Sequence, residues 1–253
     1  MSTVVIVGDV GGCADQLAAA LPALVADPEI TVVQAGDLVD RGPDSAGVLK
    51  LVAERLREVP QRWIQLIGNH EAPYAGIGDP FWPEPLDDAD ARQIADWWRR
   101  DRMRVAAAVR TAQGEELLVT HAGLTVESWR ALGEPVTAST AAELLNTRPD
   151  ELLVSLRGPL WAETGPDLYH GWLTGTEFPP FGQVHGHDTI VDFDTRGWRC
   201  SERLRQRTTV DWDARHTTTV IKRMPFIGVD PRHGTRGAPE WSPLYLRNAT
   251  VLV

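Results

Sequence analysis

Twelve residues constrain this chain more than any others: Gln34-Ala-Gly-Asp-Leu-Val-Asp-Arg-Gly-Pro-Asp-Ser45. Thr31, Val32 and Val33 form a β-branched run ahead of them, and Gly36 lets the backbone turn. Asp37 therefore falls at the carboxyl end of a strand, where open α/β sheets bind their ligands. Asp40 and Arg41 add a second carboxylate and a planar fork of donors matched to a phosphoryl group. Gly42-Pro43 stops the loop, and Asp44 or Ser45 is placed to cap a following helix.

The same pattern recurs along the chain. Thr3 to Val7 is an apolar strand ending in Gly8-Asp9-Val10-Gly11-Gly12, and Trp63 to Ile67 runs into Gly68-Asn69-His70-Glu71. Between them, Leu17, Leu21, Leu24 and Val25 recur at helical spacing, with Pro22 predicted to kink or split that helix. Val48, Leu49, Val52 and Leu56 give a second amphipathic helix, ended by Pro60. Strands alternating with helices predict a parallel sheet with its polar loops along one edge.

Residues 72–86, with Tyr74, Phe81, Trp82 and several prolines, read as an irregular insertion over that edge. A helix is predicted from Asp87 to Arg100, then a hairpin of Val105–Val109 and Glu116–Thr120 about Gln113-Gly114, delivering His121-Ala122-Gly123. Thr140 with Glu143 matches a capping box. Phe181 to Val184 leads to His185-Gly186-His187-Asp188, and from Thr189 onward short β-branched runs predict antiparallel strands closing a second sheet. Arg199 to Arg207 reads as a solvated hairpin, and Trp63, Trp97 and Trp98 as core. His216 and His233 are expected at the surface.

At 253 residues the chain is expected to form a single domain over residues 1–253. Its net charge of −10 argues against a nucleic-acid partner, because duplex binders need a basic face to displace counterions. An acidic surface still holds an anion where metal ions reverse the sign locally. Two distant cysteines, Cys13 and Cys200, no apolar run of bilayer length and no signal-like amino terminus lead to the expectation of a cytoplasmic protein with no membrane partner.

Five strand ends or loops thus present Asp9, Asp37, Asn69, His121 and His187. Carboxylate, amide oxygen and imidazole suit a divalent ion such as Mn, Fe or Zn. A bridging carboxylate, Asp37 by position, could hold two ions roughly 3.5–4 Å apart, as in-line phosphoryl displacement requires. Glu71 is expected to orient His70 or a backbone amide, and Phe81 and Trp82 to line a substrate pocket.

The order of these blocks resembles the phosphoprotein phosphatase branch of the calcineurin-like metallophosphoesterases. That signature runs Gly-Asp-x-His-Gly, Gly-Asp-x-Val-Asp-Arg-Gly, Gly-Asn-His-Glu, His-Ala-Gly and Gly-His-Thr. Its counterparts are Gly8–Gly12, Gly36–Gly42, Gly68–Glu71, His121–Gly123 and Gly186–Asp188. Gly158-Pro-Leu-Trp161 is similar to a segment of the Shewanella-like bacterial subgroup, although Glu163 stands where that subgroup tends to carry arginine. The resemblance implies an α/β fold, a four-layer α/β/β/α sandwich of two mixed sheets, around two divalent metal ions. Asp9 and Asp37 would serve the first ion, with Asp37, Asn69, His121 and His187 at the second. His70, oriented by Asp40, would be the general acid, and Arg41 would hold phosphoryl oxygens.

One departure stands out: Gly11 occupies the position of a histidine ligand, leaving the first site weak unless another group such as Cys13 or His185 fills it. The function expected is hydrolysis of a phosphate monoester, on a phosphoprotein or a small phosphorylated metabolite, by a metal-bridging hydroxide. The alternatives are dinucleoside polyphosphate hydrolysis and a pseudophosphatase that binds phosphorylated partners.

Overall fold

Two sheets packed face to face carry the polar loops. The structure, a computed structural model, describes residues 2–232 and 241–253, so His233 lies outside the described residues. The apolar run Thr3–Val7 forms β1, which pairs in parallel with β2 (Ile30–Gln34); β2 pairs with β3 (Trp63–Leu66) and β3 with β4 (Met103–Arg104) in the same sense. The hairpin strands β5 (Ala106–Arg110) and β6 (Glu116–Thr120) begin the second sheet, and β7 (Gly182–His185) joins β6 in parallel. A small ribbon, β8 (Val191–Asp192) and β9 (Gly197–Trp198), precedes β10 (Thr208–Asp211), β11 (His216–Ile221) and β12 (Met224–Gly228). The chain closes with β13 (Leu244–Arg247) and β14 (Thr250–Val251).

The sheet orders are β13-β1-β2-β3-β4 and β10-β11-β12-β7-β6-β5-β14. Both are mixed: β13 runs antiparallel to β1, whereas β12 runs parallel to β7 within an otherwise largely antiparallel sheet. The carboxyl-terminal segment was expected to complete only the second sheet. Instead β13 adds an edge to the first, because Leu244 and Leu246 pack on the shared inter-sheet core.

Period-two alternation sorts the layers. Val4, Ile6, Val33 and Leu66 of one sheet meet Ala107, Val109, Leu117, Val119 and Val184 of the other in a dry middle layer. The opposite faces, with Val5, Val7, Val32 and Trp63 on one side and Ala106, Ala108 and Leu118 on the other, pack against helices. Those are α1 (Ala14–Ala26) and α2 (Ser45–Glu58) outside the first sheet, α3 (Asp88–Arg99) near β4, and, after α4 (Val126–Ala131), α5 (Ala138–Asn146) outside the second. This is the four-layer sandwich the resemblance implied. Each fully buried Val, Leu or Ile contributes about 1.5–3 kcal/mol.

Four local expectations are corrected. Pro22 leaves α1 continuous, because it and Ala18 lie on the exposed face while Leu17, Leu21 and Leu24 anchor the buried one. The carbonyl that loses its amide partner there is open to water. Thr137, and not Thr140, caps α5: its Oγ1 accepts from the Thr140 amide at 3.1 Å. The Arg199–Arg207 stretch contains a short helix, Glu202–Arg205, seated by buried Leu204. His216 is half-buried on β11. Trp63, Trp97 and Trp98 are core residues as expected, Trp98 lying under the Arg148 guanidinium at 3.7 Å.

Candidate metal and phosphoryl site

The carboxyl ends of β1, β2, β3, β6 and β7 converge, and each delivers one of the residues singled out by its motif. Asp9 and Asp37 follow β1 and β2, Asn69 and His70 follow β3, His121 follows β6 and His187 follows β7. All are buried or nearly so. Glycine is required where these loops touch: a Cβ on Gly186 would lie 2.1 Å from Asp9 Oδ1, whose carboxylate accepts from the His187 amide at 3.1 and 3.2 Å. The side-chain-bearing residues carry the strain instead. Asp37, Asp40, Arg41 and His187 all hold positive φ, between 54° and 69°. Such conformations cost about 1–3 kcal/mol each and cluster at functional sites.

Hydrogen bonds fix the protonation of both imidazoles. His121 Nδ1 donates to the Ala35 carbonyl at 2.9 Å, which leaves Nε2 bare. His187 Nε2 donates to the Trp161 carbonyl at 3.2 Å, which leaves Nδ1 bare. Burial lowers both pKa values, His187 to about 4 with the neighbouring His121 adding to the effect, so the rings stay neutral. The two bare nitrogens face the same Asn69 Oδ1 at 2.9 and 3.0 Å, and His121 Nε2 also faces Asp37 Oδ1 at 3.3 Å. Four acceptors thus converge with no proton to share. Asp37, His121 and His187 offer ligand atoms within 4.8 Å of one another. Asp37 Oδ2 is buried and accepts no hydrogen bond. A divalent cation satisfies such a set, and the donors present fit one.

His70 lies beside this cluster. Its Nδ1 is 2.6 Å from Asp40 Oδ2, and its Nε2 lies 3.3 Å from the Arg41 guanidinium. Burial works to depress the imidazole's pKa, but the Asp37 charge and the Asp40 hydrogen bond outweigh it, and the net shift is upward. Phe81 and Trp82 of the 72–86 insertion pack edge-on to the His70 ring, each with centroids 5.0 Å apart. Arg41, exposed at the loop tip, sits 5.8 Å from the Trp82 ring centre. Asp40, Arg41, Ser45, Trp82 and Glu84 line a cleft of about 450 Å³.

Glu71 binds backbone, as expected: it accepts from the amides of Gly68, Asp37, Leu38 and Val39 at 2.8 to 3.3 Å. Burial, reinforced by the Asp37 charge, raises its carboxyl to about 7 against those bonds. Asp44 caps α2 through the Gly47 amide, and Ser45 accepts from the Asp40 amide. Neither candidate for the place of Gly11 is free to fill it. His185 turns into the core, Nε2 2.8 Å from the Tyr169 hydroxyl and Nδ1 3.0 Å from the Gly186 carbonyl. Cys13 directs its thiol to the Gly11 carbonyl at 3.4 Å.

Three participants escaped the motif reading. Gln34 braces two ligand loops by donating to the Gly8 and Gly36 carbonyls at 3.0 and 2.7 Å. The Trp161 carbonyl sets the His187 tautomer. Buried Asp230 follows β12, and its signal was present: Phe226-Ile-Gly-Val-Asp230 is an apolar strand ending in aspartate, like Val5-Ile-Val-Gly-Asp9.

The order of strands in the two mixed sheets defines a metallo-dependent phosphatase-like fold, with Asp37, His121 and His187 clustered where they could hold a metal ion. The calcineurin-like phosphoesterase family profile matches residues 2–210, and the chain belongs to that family of phosphoric ester hydrolases. It is 32% identical over 173 residues to a symmetrical bis(5'-nucleosyl)-tetraphosphatase of Bordetella pertussis, covering 64% of this chain and 54% of that protein. A protein of the same name from Pectobacterium atrosepticum is 36% identical over 129 residues, covering 47% and 43%. The chain spans about half the length of the curated relatives it matches. Two crystal structures share the fold. A cold-active protein-tyrosine phosphatase of a Shewanella species has a TM-score of 0.56 at 18% identity, covering 98% of this chain and 76% of that one. A protein provisionally identified as a diadenosine tetraphosphatase has a TM-score of 0.50 at 20% identity, covering 99% and 92%. Among the described residues no helix is long and apolar enough to cross a membrane.

Proposed function

We propose that this chain hydrolyses a phosphoric ester or anhydride with two divalent cations, Mn or Fe/Zn, and that its substrate is a dinucleoside polyphosphate. The observation that carries the hydrolase reading is the convergence of Asp37, Asn69, His121 and His187 as bare acceptors beside the His70–Asp40 pair and Arg41. The substrate class is favoured by the relatives, which are named for bis(5'-nucleosyl) tetraphosphates. A monoester on a phosphoprotein or a small metabolite is the substrate class that this choice sets aside.

Asn69, His121 and His187 would hold one cation, Asp9 the other, with Asp37 between them. Bound there, the cations would supply Lewis-acid polarisation of the phosphoryl group and acidify the attacking water. The chain does the rest. Arg41, on its exposed loop, meets the non-bridging oxygens of the incoming group and orients it. His70, with Nδ1 held by Asp40, presents Nε2 as the proton donor to the leaving oxygen as the P–O bond breaks. Its upward-shifted pKa favours the protonated ring that this role needs. Phe81 and Trp82 cover the imidazole and limit water around it.

The test is product analysis with Mn-loaded protein given diadenosine tetraphosphate, p-nitrophenyl phosphate and a phosphopeptide in parallel. The reading expects two ADP from the first and the highest kcat/KM there, with Asp37→Asn silent on all three. A higher kcat/KM on either monoester would move the substrate class to monoesters. Tight phosphate binding without turnover on any of them would make the chain a pseudophosphatase.

A further inference from the structure

We propose that Asp230 is the third protein ligand of the first metal site, supplying by carboxylate what the family supplies by the histidine that Gly11 replaces. The proposal rests on the metallophosphoesterase reading above. It starts from where the strand β12 ends. Gly228 is registered opposite His185 of β7, and the Val229 amide continues the ladder by donating to the His185 carbonyl at 2.8 Å. Asp230 therefore sits at the carboxyl end of β12, level with Gly186-His187. On its other side the chain is pressed against the end of β1. A Cβ on Gly8 would fall 1.9 Å from the Val229 carbonyl and 3.4 Å from the Asp230 amide, so only glycine allows the approach. Asp230 is held between the strand ends that carry Asp9 and His187.

Its side chain is buried at that strand end. Asp230 is 7% exposed, Asp9 4% and Asp37 1%. Burial, with the charges of Asp230 and Asp37 adding to it, holds the Asp9 carboxyl well above the usual carboxylate range. One oxygen, Oδ1, accepts from the Arg232 amide at 2.7 Å, a single bond for a group with about four acceptor positions. Buried carboxylates at neighbouring strand ends are relieved either by taking up a proton or by a cation among them, and the proposal is the second. An independent sign of that cation is Asp37 Oδ2, fully buried and without a hydrogen bond.

Among the described residues the rivals are occupied. Asp188 Oδ2 accepts from the Thr164 amide at 3.3 Å, and its Oδ1 pairs with Arg199 at 3.7 Å. His185 is taken by Tyr169, and the Cys13 thiol by the Gly11 carbonyl. A consequence is that the two halves differ in donor chemistry. The first site, Asp9, Asp37 and Asp230, is all oxygen and suits Mn²⁺ or Mg²⁺; the second, with two imidazoles, also suits Zn²⁺ or Fe.

Calorimetric titration of the metal-free chain with Mn²⁺, with metal content measured after dialysis, tests this. The native chain should take two ions. Asp230→Asn, nearly isosteric, should keep a native circular dichroism spectrum and weaken one ion at least tenfold while leaving the other unchanged. Two ions bound by Asp230→Asn with native affinities, or a single ion bound by the native chain, would overturn the proposal. Anomalous scattering from Mn-soaked crystals of the native chain decides the matter even if the variant fails to fold: an ion at Asp9 with the Asp230 carboxylate out of coordinating reach overturns it. Hydrolysis, measured separately, distinguishes the two readings. Loss of one ion in Asp230→Asn from a chain that turns over no phosphoester keeps Asp230 as a ligand and discards the hydrolase. An active enzyme whose Asp230→Asn form still holds both ions does the reverse.

Discussion

The two halves of the metal centre are built by different means. Around Asn69, His121 and His187, every donor follows a motif, and backbone carbonyls of Ala35 and Trp161 lock each imidazole so that its bare nitrogen points inward. Around Asp9, the expected histidine is Gly11, and the geometry is kept by close backbone contact among Gly8, Val229 and Gly186. One half is specified by side-chain hydrogen bonds, the other by backbone packing and charge. The first kind of construction leaves a signature in sequence, since each residue type is irreplaceable. The second leaves little, since a carboxylate reaching in from a distant strand needs no motif.

The sharpest break in this comparison is Asp37→Asn, which removes the residue common to both halves. Activity should fall more than about 100-fold, beyond what loss of an outer hydrogen-bond partner costs, and bound Mn²⁺ should drop at both sites by elemental analysis. Loss of only one ion would mean the halves are independent. Next in size, His70→Ala should lower kcat by about 10²–10⁴-fold on a dinucleoside polyphosphate and by much less on p-nitrophenyl phosphate, whose leaving group needs no proton. Equal losses on both would remove His70 from the role of acid.

Metal removal should separate the halves directly. Graded chelation is expected to strip the oxygen-ligated ion first and the imidazole-ligated one later, followed as two steps in Mn²⁺ release; a single step would make the halves equivalent. The pH profile sharpens the role of Asp40. The His70 pKa lies above its ordinary value, so kcat/KM should fall as pH rises through that shifted value. Asp40→Asn removes a partner that favours the charged ring, so the alkaline limb should move to lower pH; a stationary limb would assign it to another group. The smallest effect is expected from Gly11→His. With φ of 50° at that residue, a side chain should cost roughly 1–2 kcal/mol in thermal unfolding, while Mn²⁺ stoichiometry stays the same. Gain of an ion would show that the native first site lacks a third ligand.

Much of the architecture could be read in advance because hydrophobic period and glycine-led turns mark the parallel strands at Thr3, Ile30 and Trp63. The candidate ligands Asp9, Asp37, Asn69, His121 and His187 were legible for the same reason: each follows an apolar strand directly. What was not legible depends on tertiary context. Thr137 and Thr140 are equally good caps on paper, and only the folded chain, extended at Thr137 and helical after it, picks out the first. Pro22 is tolerated because the buried leucines face away from it. β13 joins the first sheet through Leu244 and Leu246, which only the assembled inter-sheet core can call for. Asp230 belongs to none of the motifs, and the strand end it lies against, at Gly8, is more than 200 positions away in sequence.

The contact of Val229 with Gly8 also sets a timetable for biosynthesis. Residue 8 and residue 229 must both have left the ribosome before the end of β1 is covered, and at about 5–20 residues per second that interval is on the order of ten seconds or more. Until then Asp9 lacks the cover of Val229 and the nearby charge of Asp230, so the first site as proposed should be completed only after β12 has emerged, later than the site of Asn69, His121 and His187.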